Sequence, residues 1–278
     1  MKDKNELIEK EEKNYIEIVN QSGVENAIEK LIMKNNALLP KNVAVERIKN
    51  SAGFYISNRE DLMKLDGKGK MQTLYGVLKE AILGLTAGTD YDIIAYAGKP
   101  VIQRKDTGWY KILDLVKPAE IVRINSNIVQ KGDEFEFNPV TEEIKHIMIG
   151  ERTNKYEDII GSYAYIKFAN NFEKTIYLSK AELDAIRNTS PSAKSEFSPW
   201  VKFPVKLVNT KTLKELAKRL FVIFGGKLTS SVANAINSDE QVVDYVDNKG
   251  NLKNDDSIYE ASYQEKSETK KVKLSDVE

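Results

Sequence analysis

Lysines and arginines are the residues of this chain whose spacing suggests chemistry. Between Lys194 and Lys227 eight cations (Lys194, Lys202, Lys206, Lys211, Lys214, Lys218, Arg219 and Lys227) stand against two acids, Glu196 and Glu215. Lys211, Lys214 and Lys218 recur at i, i+3 and i+7, which places them on one flank of a helix beside an apolar stripe. Such a helix would pack its apolar face inward and turn its ammonium groups outward. There each lysine could replace counterions condensed on a phosphate backbone. A second cluster, Lys99, Arg104, Lys105, Lys111 and Arg123, is interleaved with Tyr96, Trp109 and Tyr110. Cations beside exposed ring faces suit single-stranded nucleic acid, whose bases stack on aromatic side chains. The same interleaving also reads as a solvated basic face over core aromatics, and both readings stand at the level of sequence.

The usual catalytic signatures are missing. Gly67-Lys68-Gly69-Lys70 has no hydroxyl residue behind its lysine, and Gly226-Lys227-Leu228-Thr229 puts leucine where a Mg²⁺-binding hydroxyl must sit. Neither is a phosphate-cradling loop of the P-loop type. The chain has no cysteine and one histidine, His146. That excludes thiol chemistry, disulfides and two-histidine metal sites. His146, beside Ile144 and Ile147 in an expected strand, reads as a structural residue. Asp90, Asp92, Asp133-Glu134 and Glu142-Glu143 lie at expected turns. A metal-dependent DNA nuclease using such acids is the competing reading, because two-metal catalysis needs convergent carboxylates. The favoured expectation is a protein that is not an enzyme and takes no cofactor.

The 278 residues are 41% hydrophobic and 30% charged, with a net charge of zero. That balance conceals an asymmetry. From Asp239 to Glu278 there are eleven acids and six lysines, so 36 basic and 31 acidic residues remain in 1–238. The body is thus about +5 and the last forty residues about −5, a distribution that suits an anionic partner for the first and a protein partner for the second. No apolar run is long enough to span a bilayer, and the charged start lacks the apolar stretch of a secretory signal. A cytoplasmic protein without membrane contact is expected.

Periodicity divides the chain into helices, then strands, then helices. Residues 1–66 read as a helical region, with Val24, Ile28, Leu31 and Ile32 as one stripe. Asp66 to Lys70 reads as a loop, and Met71, Leu74, Tyr75, Leu78, Ile82 and Leu85 as a helix ending near Gly84 or Gly88. Hairpins are expected around 97–100 and 170–171. A short helix is expected from Gly108 to Lys117, and strands at 121–125, 128–130 and 135–137. Ser179 with Glu182 is a capping-box pattern, and Pro204 suits the first turn of a helix ended by Gly225-Gly226. After Asp239 no period survives, which predicts a disordered acidic tail. The expectation is therefore α+β: a helical N-terminal region (1–66), a core (67–238) with a central antiparallel sheet and a long basic helix, and a tail (239–278).

The ordered set of motifs resembles the RecT family of phage single-strand annealing proteins. It comprises the hairpin at 91–104, Gly108-Trp109-Tyr110, the run Val129 to Phe137, Tyr163 to Lys167 and Phe172 to Leu183. Ser198 to Lys202, Lys211 to Lys214 and Arg219-Leu220-Phe221 complete it, so the resemblance covers about 70–235. The chain departs from the family at Asp106-Thr107, where an aromatic residue and a lysine are usual, and at Thr210, where a second lysine is usual. The resemblance implies ATP-independent binding of single-stranded DNA and annealing of complementary strands in homologous recombination. It implies a homo-oligomeric ring or filament holding the annealed duplex intermediate in a basic groove. It further implies a phage 5′–3′ exonuclease partner, with a host single-strand binding protein as a possible contact of the tail. DNA contacts are expected from Lys99, Arg104, Lys105, Trp109, Tyr110, Lys111 and Arg123, and from Lys202, Lys206, Lys211, Lys214, Lys218 and Arg219.

Overall fold

The computed structural model describes Asn50 and residues 53–224, apart from Ala97, Pro191, Ser192, Lys194 and Phe197. The expectations placed on the stripe at 24–32, on Gly225-Gly226 and on the acidic tail lie outside the described residues. After a short helical segment at 53–57 come α1 (Glu60–Met63) and α2 (Gly67–Ile82). Asp66 to Lys70, expected as a loop, is instead the start of α2. The Asp66 side chain accepts a hydrogen bond from the Gly69 amide at 2.7 Å, an N-cap that offsets the poor helix propensity of two glycines. A Cβ at Gly69 would lie 3.0 Å from the Cβ of Leu65, so glycine lets that buried leucine close over the helix start. The helix ends at Ile82, and Gly84, with φ of +74°, turns the chain away, as expected.

Ile56, Leu62 and Leu65 are buried in the same core as α2. The stretch 53–65 therefore packs with the core, and the boundary expected at residue 66 does not separate it.

Strands β1 (Tyr91–Tyr96) and β2 (Lys99–Arg104) form a hairpin in which Tyr96 lies opposite Lys99. Pro100 is already within β2, so the turn is tighter than the four residues expected from composition. α3 (Asp106–Leu115) starts two residues earlier than expected. A Cβ at Gly108 would collide with the Asp90 carbonyl, so this position requires glycine for close approach of α3 to the 86–90 turn.

The central sheet has the order β3-β6-β7, all antiparallel, from β3 (Ile121–Gln130), β6 (Ile159–Phe168) and β7 (Glu173–Ser179). The two strands expected at 121–125 and 128–130 are one, irregular in register near each end. Alternation gives the sheet two different faces. Ala164, Ile166, Phe168 and Ile176 look toward α6 (Pro204–Phe224) and share a core with its Leu213, Leu216, Ala217 and Leu220. Each such leucine contributes about 2 kcal/mol on burial. A second core joins Ile128, Ile159 and Leu178 of the sheet to Leu183 of α4 (Lys180–Asn188), Trp200 of α5 (Pro199–Lys202) and Val208 of α6. The capping box of α4 is present in full, with the Ser179 side chain accepting from the Glu182 amide and Glu182 accepting from the Ser179 amide.

The opposite face of the sheet is covered by a separate hairpin, β4 (Glu134–Phe137) with β5 (Ile144–Ile147). Phe135 and Phe137 do share one face, and they lie on Tyr163 and Tyr177 with ring centroids 5.0–5.9 Å apart. A buried polar chain fixes this hairpin. Asn127 donates to the Tyr163 hydroxyl, the hydroxyl lies 3.2 Å from His146 Nδ1, and His146 Nε2 lies 3.1 Å from Asp133 Oδ2. Protonation at Nε2 satisfies all of these groups. Asp133, whose side chain is 0% exposed, also accepts from Arg152 and from the Gln130 and Ile149 amides. His146 is thus structural, as expected. Burial pushes the Asp133 carboxyl up, but Arg152, the two amides and His146 together hold it well below the ordinary carboxylate range. The stabilisation this gives is fully present above the unfolded-state value of about 3.9 and is lost as pH falls through the lower folded value. Asp133→Asn is expected to cost about 2–3 kcal/mol near neutral pH, because Arg152 and His146 lose a shared anion. Urea midpoints should show this, with the gap from wild type narrowing steadily below pH 4.

Candidate nucleic-acid interface

The expected DNA-contacting residues separate by environment into three groups. The first is internal. Arg104 makes a two-pronged ion pair with Glu80, at 2.6 and 2.7 Å, with side chains 10% and 3% exposed. Its guanidinium also lies 5.4 Å from the Trp109 ring centre. Trp109 is 4% exposed and belongs to the main core, so its ring does not face solvent. The interleaved cations and rings therefore follow the core reading at this point. The reason is tertiary: α3 packs against α6 and β2, which places Trp109 in the core rather than outward. Tyr110 is half-buried against the same core, and burial, then Asp106, raises its phenol above the ordinary value.

The second group is engaged in surface or partly buried ion pairs. Lys105 lies 3.1 Å from Asp92 and donates to the Gly88 carbonyl. Lys111 holds the buried Asp90 carboxylate at 2.6 Å, and Lys218 lies 2.9 Å from Glu215. The flank of α6 also differs from its helical-wheel expectation. Lys214 is 8% exposed, and Lys211 and Lys218 are both half-buried, so this flank is less open than the helical wheel suggests. Helical register placed them beside the apolar stripe correctly. The helix packs on the sheet on one side and on α3 on another.

The third group is exposed: Lys99 at the β1–β2 turn, Arg123 on β3, Lys202, Lys206 and Arg219. Arg123 lies on the sheet face away from α6, opposite Lys167, with its guanidinium 6.0 Å from the Tyr165 ring centre. Lys167 pairs in turn with Glu173, which also accepts from the Tyr165 hydroxyl. Lys202 and Lys206 flank Phe203, an exposed aromatic that sequence reasoning passed over. Its signal was a ring between two lysines immediately before the helix-opening proline. Lys155 is likewise exposed and lies in a loop whose Asn154 side chain donates to the Lys202 carbonyl at 3.1 Å.

The turn acids are held by neighbouring side chains. Asp133 is bound by Arg152 and His146, Asp90 by Lys111, and Glu142 by Lys174. Among the described residues no three or more His, Asp or Glu side chains gather as a metal-holding group. Among those same residues no helix is long and apolar enough to cross a membrane.

Residues 101–258, which include the sheet, its covering hairpin and the long helix, match the model of the RecT family. The chain belongs to the RecT family. RecT proteins anneal single DNA strands in phage-type recombination. The matched range takes in α3, the whole β3-β6-β7 sheet, its hairpin and α6. One curated relative, the "Uncharacterized protein YqaK" of Bacillus subtilis (strain 168), is 28% identical over 119 residues. That alignment covers 42% of this chain and 39% of the length of YqaK.

The internal and exposed cations should respond differently to substitution. Glu80→Gln leaves the Arg104 guanidinium buried without its counter-charge and is expected to cost about 3 kcal/mol in chemical denaturation. Lys99→Ala, at an exposed turn, should stay within about 0.5 kcal/mol of wild type.

Proposed function

We propose that this chain binds single-stranded DNA and anneals complementary strands without ATP, as a homo-oligomeric ring or filament in a phage-type recombination system. The observation that carries this reading is the RecT-family match over 101–258, the region that also bears the exposed Arg123, Lys202, Lys206 and Arg219. The chemistry is physical rather than covalent. Lysine and arginine displace condensed counterions, which lowers the repulsion between two approaching phosphate chains. Sequence discrimination is left to Watson–Crick pairing, because contacts to phosphate carry no sequence information. The nuclease alternative is disfavoured by the ion pairs that already occupy Asp90, Asp133 and Glu142.

Short paired stretches form and break quickly, so a continuous groove across several subunits favours annealing. Head-to-tail contacts between identical subunits generate rings or open filaments. We assign the N-terminal region 1–66 to those contacts, chiefly the part before 53–65, and the acidic residues 239–278 to protein partners, an exonuclease of 5′–3′ polarity or a host single-strand binding protein. Since 53–65 are part of the core, a test of the first assignment removes 1–49 only.

Annealing of two complementary dye-labelled oligonucleotides, followed by energy transfer, should be accelerated by the purified protein equally with and without ATP. Magnesium-dependent shortening of the labelled strands would instead establish the nuclease. Lys206→Ala and Arg123→Ala should each lower the magnitude of the slope of log K against log salt by about 0.7, as expected for one lost phosphate contact on a single strand. Unchanged slopes in both would remove these residues from the interface. The protein lacking 1–49 should be a smaller species by light scattering and a slower annealer. Wild-type size and rate would move the subunit contacts elsewhere.

A further inference from the structure

We infer that Phe203 is a base-stacking side chain of a single-stranded DNA site, with Lys206 and Lys155 as its phosphate contacts. The inference rests on the single-strand-binding reading above and names a place and a residue for it. Phe203 is 60% exposed, although its backbone is held on both sides. Its amide donates to the Pro199 carbonyl at 2.9 Å, and its own carbonyl accepts from the Leu207 amide at 3.0 Å. The residue sits at the junction of α5 and α6, with φ of −138° and ψ of 49°, where the chain changes direction between two helices. Trp200, one turn earlier, is 3% exposed and packs edge-on against Tyr156 with ring centroids 5.7 Å apart. One aromatic of this short helix thus anchors the junction while the other projects from it.

A fixed backbone presenting a phenyl ring to water has already lost most of the conformational freedom that stacking would remove. The surroundings favour an anionic chain over an apolar partner. Lys206 follows one helical turn after Lys202, and both are exposed. The hydrogen bond from Asn154 to the Lys202 carbonyl brings a second segment alongside, and the next residue in it is the exposed Lys155. Of the nearby acids, Glu157 is exposed, while Asp158 is engaged by the Thr153 hydroxyl at 2.8 Å, by Lys131 at 3.6 Å and by the charge of Lys155. An exposed ring with exposed lysines on its own segment and on the adjoining one matches the two surfaces that single-stranded DNA offers, its base faces and its phosphates. Because every base has such a face, a contact of this kind tolerates any sequence.

The test uses the full chain and a fluorescein-labelled oligothymidylate, with anisotropy read over a range of salt concentrations. Phe203→Ala should weaken binding about tenfold while leaving the salt slope unchanged, because stacking releases no counterions. Lys206→Ala and Lys155→Ala should each flatten the slope. Both native tryptophans, Trp109 and Trp200, are buried, so the indole added by Phe203→Trp reports separately. Its emission should be quenched when unlabelled oligothymidylate is added. If the wild type binds and Phe203→Ala binds equally well, or if the added indole keeps its emission on saturation, the stacking assignment is overturned. A Phe203→Ala protein that changes its assembly size but keeps its affinity also overturns it, in favour of a subunit contact. A wild type that does not bind the oligonucleotide at all brings down the single-strand reading itself, a result distinct from these.

Discussion

The contact between α6 and the β3-β6-β7 sheet is the constraint on which the rest of the molecule depends. The helix has 21 residues, so it runs about 30 Å along the sheet. Its first half lies in one hydrophobic core, through Val208, and its second half in the other, through Leu213, Leu216, Ala217 and Leu220. Near the middle, the Thr212 hydroxyl lies 2.8 Å from that of Ser162, which donates to the Asn127 carbonyl. A fully buried polar pair of this kind is costly unless satisfied. Its geometry therefore fixes how far the helix can slide along the strands. Any movement that misplaced α6 would disturb α3, the sheet and α5 together.

That shared support determines which charges reach solvent. Cations close to the cores are drawn into pairs: Arg104 with Glu80, Lys111 with Asp90, Arg152 with Asp133. Those at the ends and outer surfaces of the same elements, such as Lys99, Arg123, Lys206 and Arg219, remain exposed. A sequence count of basic residues thus overstates the charge available to a phosphate chain.

The hairpin β4–β5 is a different kind of element. Its inner face is aromatic, Phe135 and Phe137 on Tyr163 and Tyr177, and its base is held by the Asp133–His146–Tyr163 chain. Its turn end is tied to β7, where Glu142 pairs with Lys174 and accepts from the Thr175 amide. Glu142 has a positive φ of 59°, a conformation that this pair of contacts supports. The amide at Thr175 belongs to an edge strand, and the carboxylate that caps it also obstructs strand addition there.

Much of this was legible in the residues themselves. Alternating Glu and Phe at 134–137 set the hairpin's inner face, Ser179 with Glu182 set the start of α4, and Pro204 with the following leucines set α6. In each case the deciding interactions are local or follow from a short period, so the order of side chains is enough. The ordered motifs also pointed to the RecT family. Other features depended on partners far away in the chain. Asp66 to Lys70 is loop-like in composition, but a side-chain cap and the packing of Leu65 make it helical. Trp109 beside Arg104 could stack on a base or fill a core, and only the packing of α3 on α6 and β2 chose the core. Lys214 lay on the expected flank, yet in the folded chain it is buried. Exposure is a property of what is packed around a residue, and for this chain that was decided by the tertiary structure.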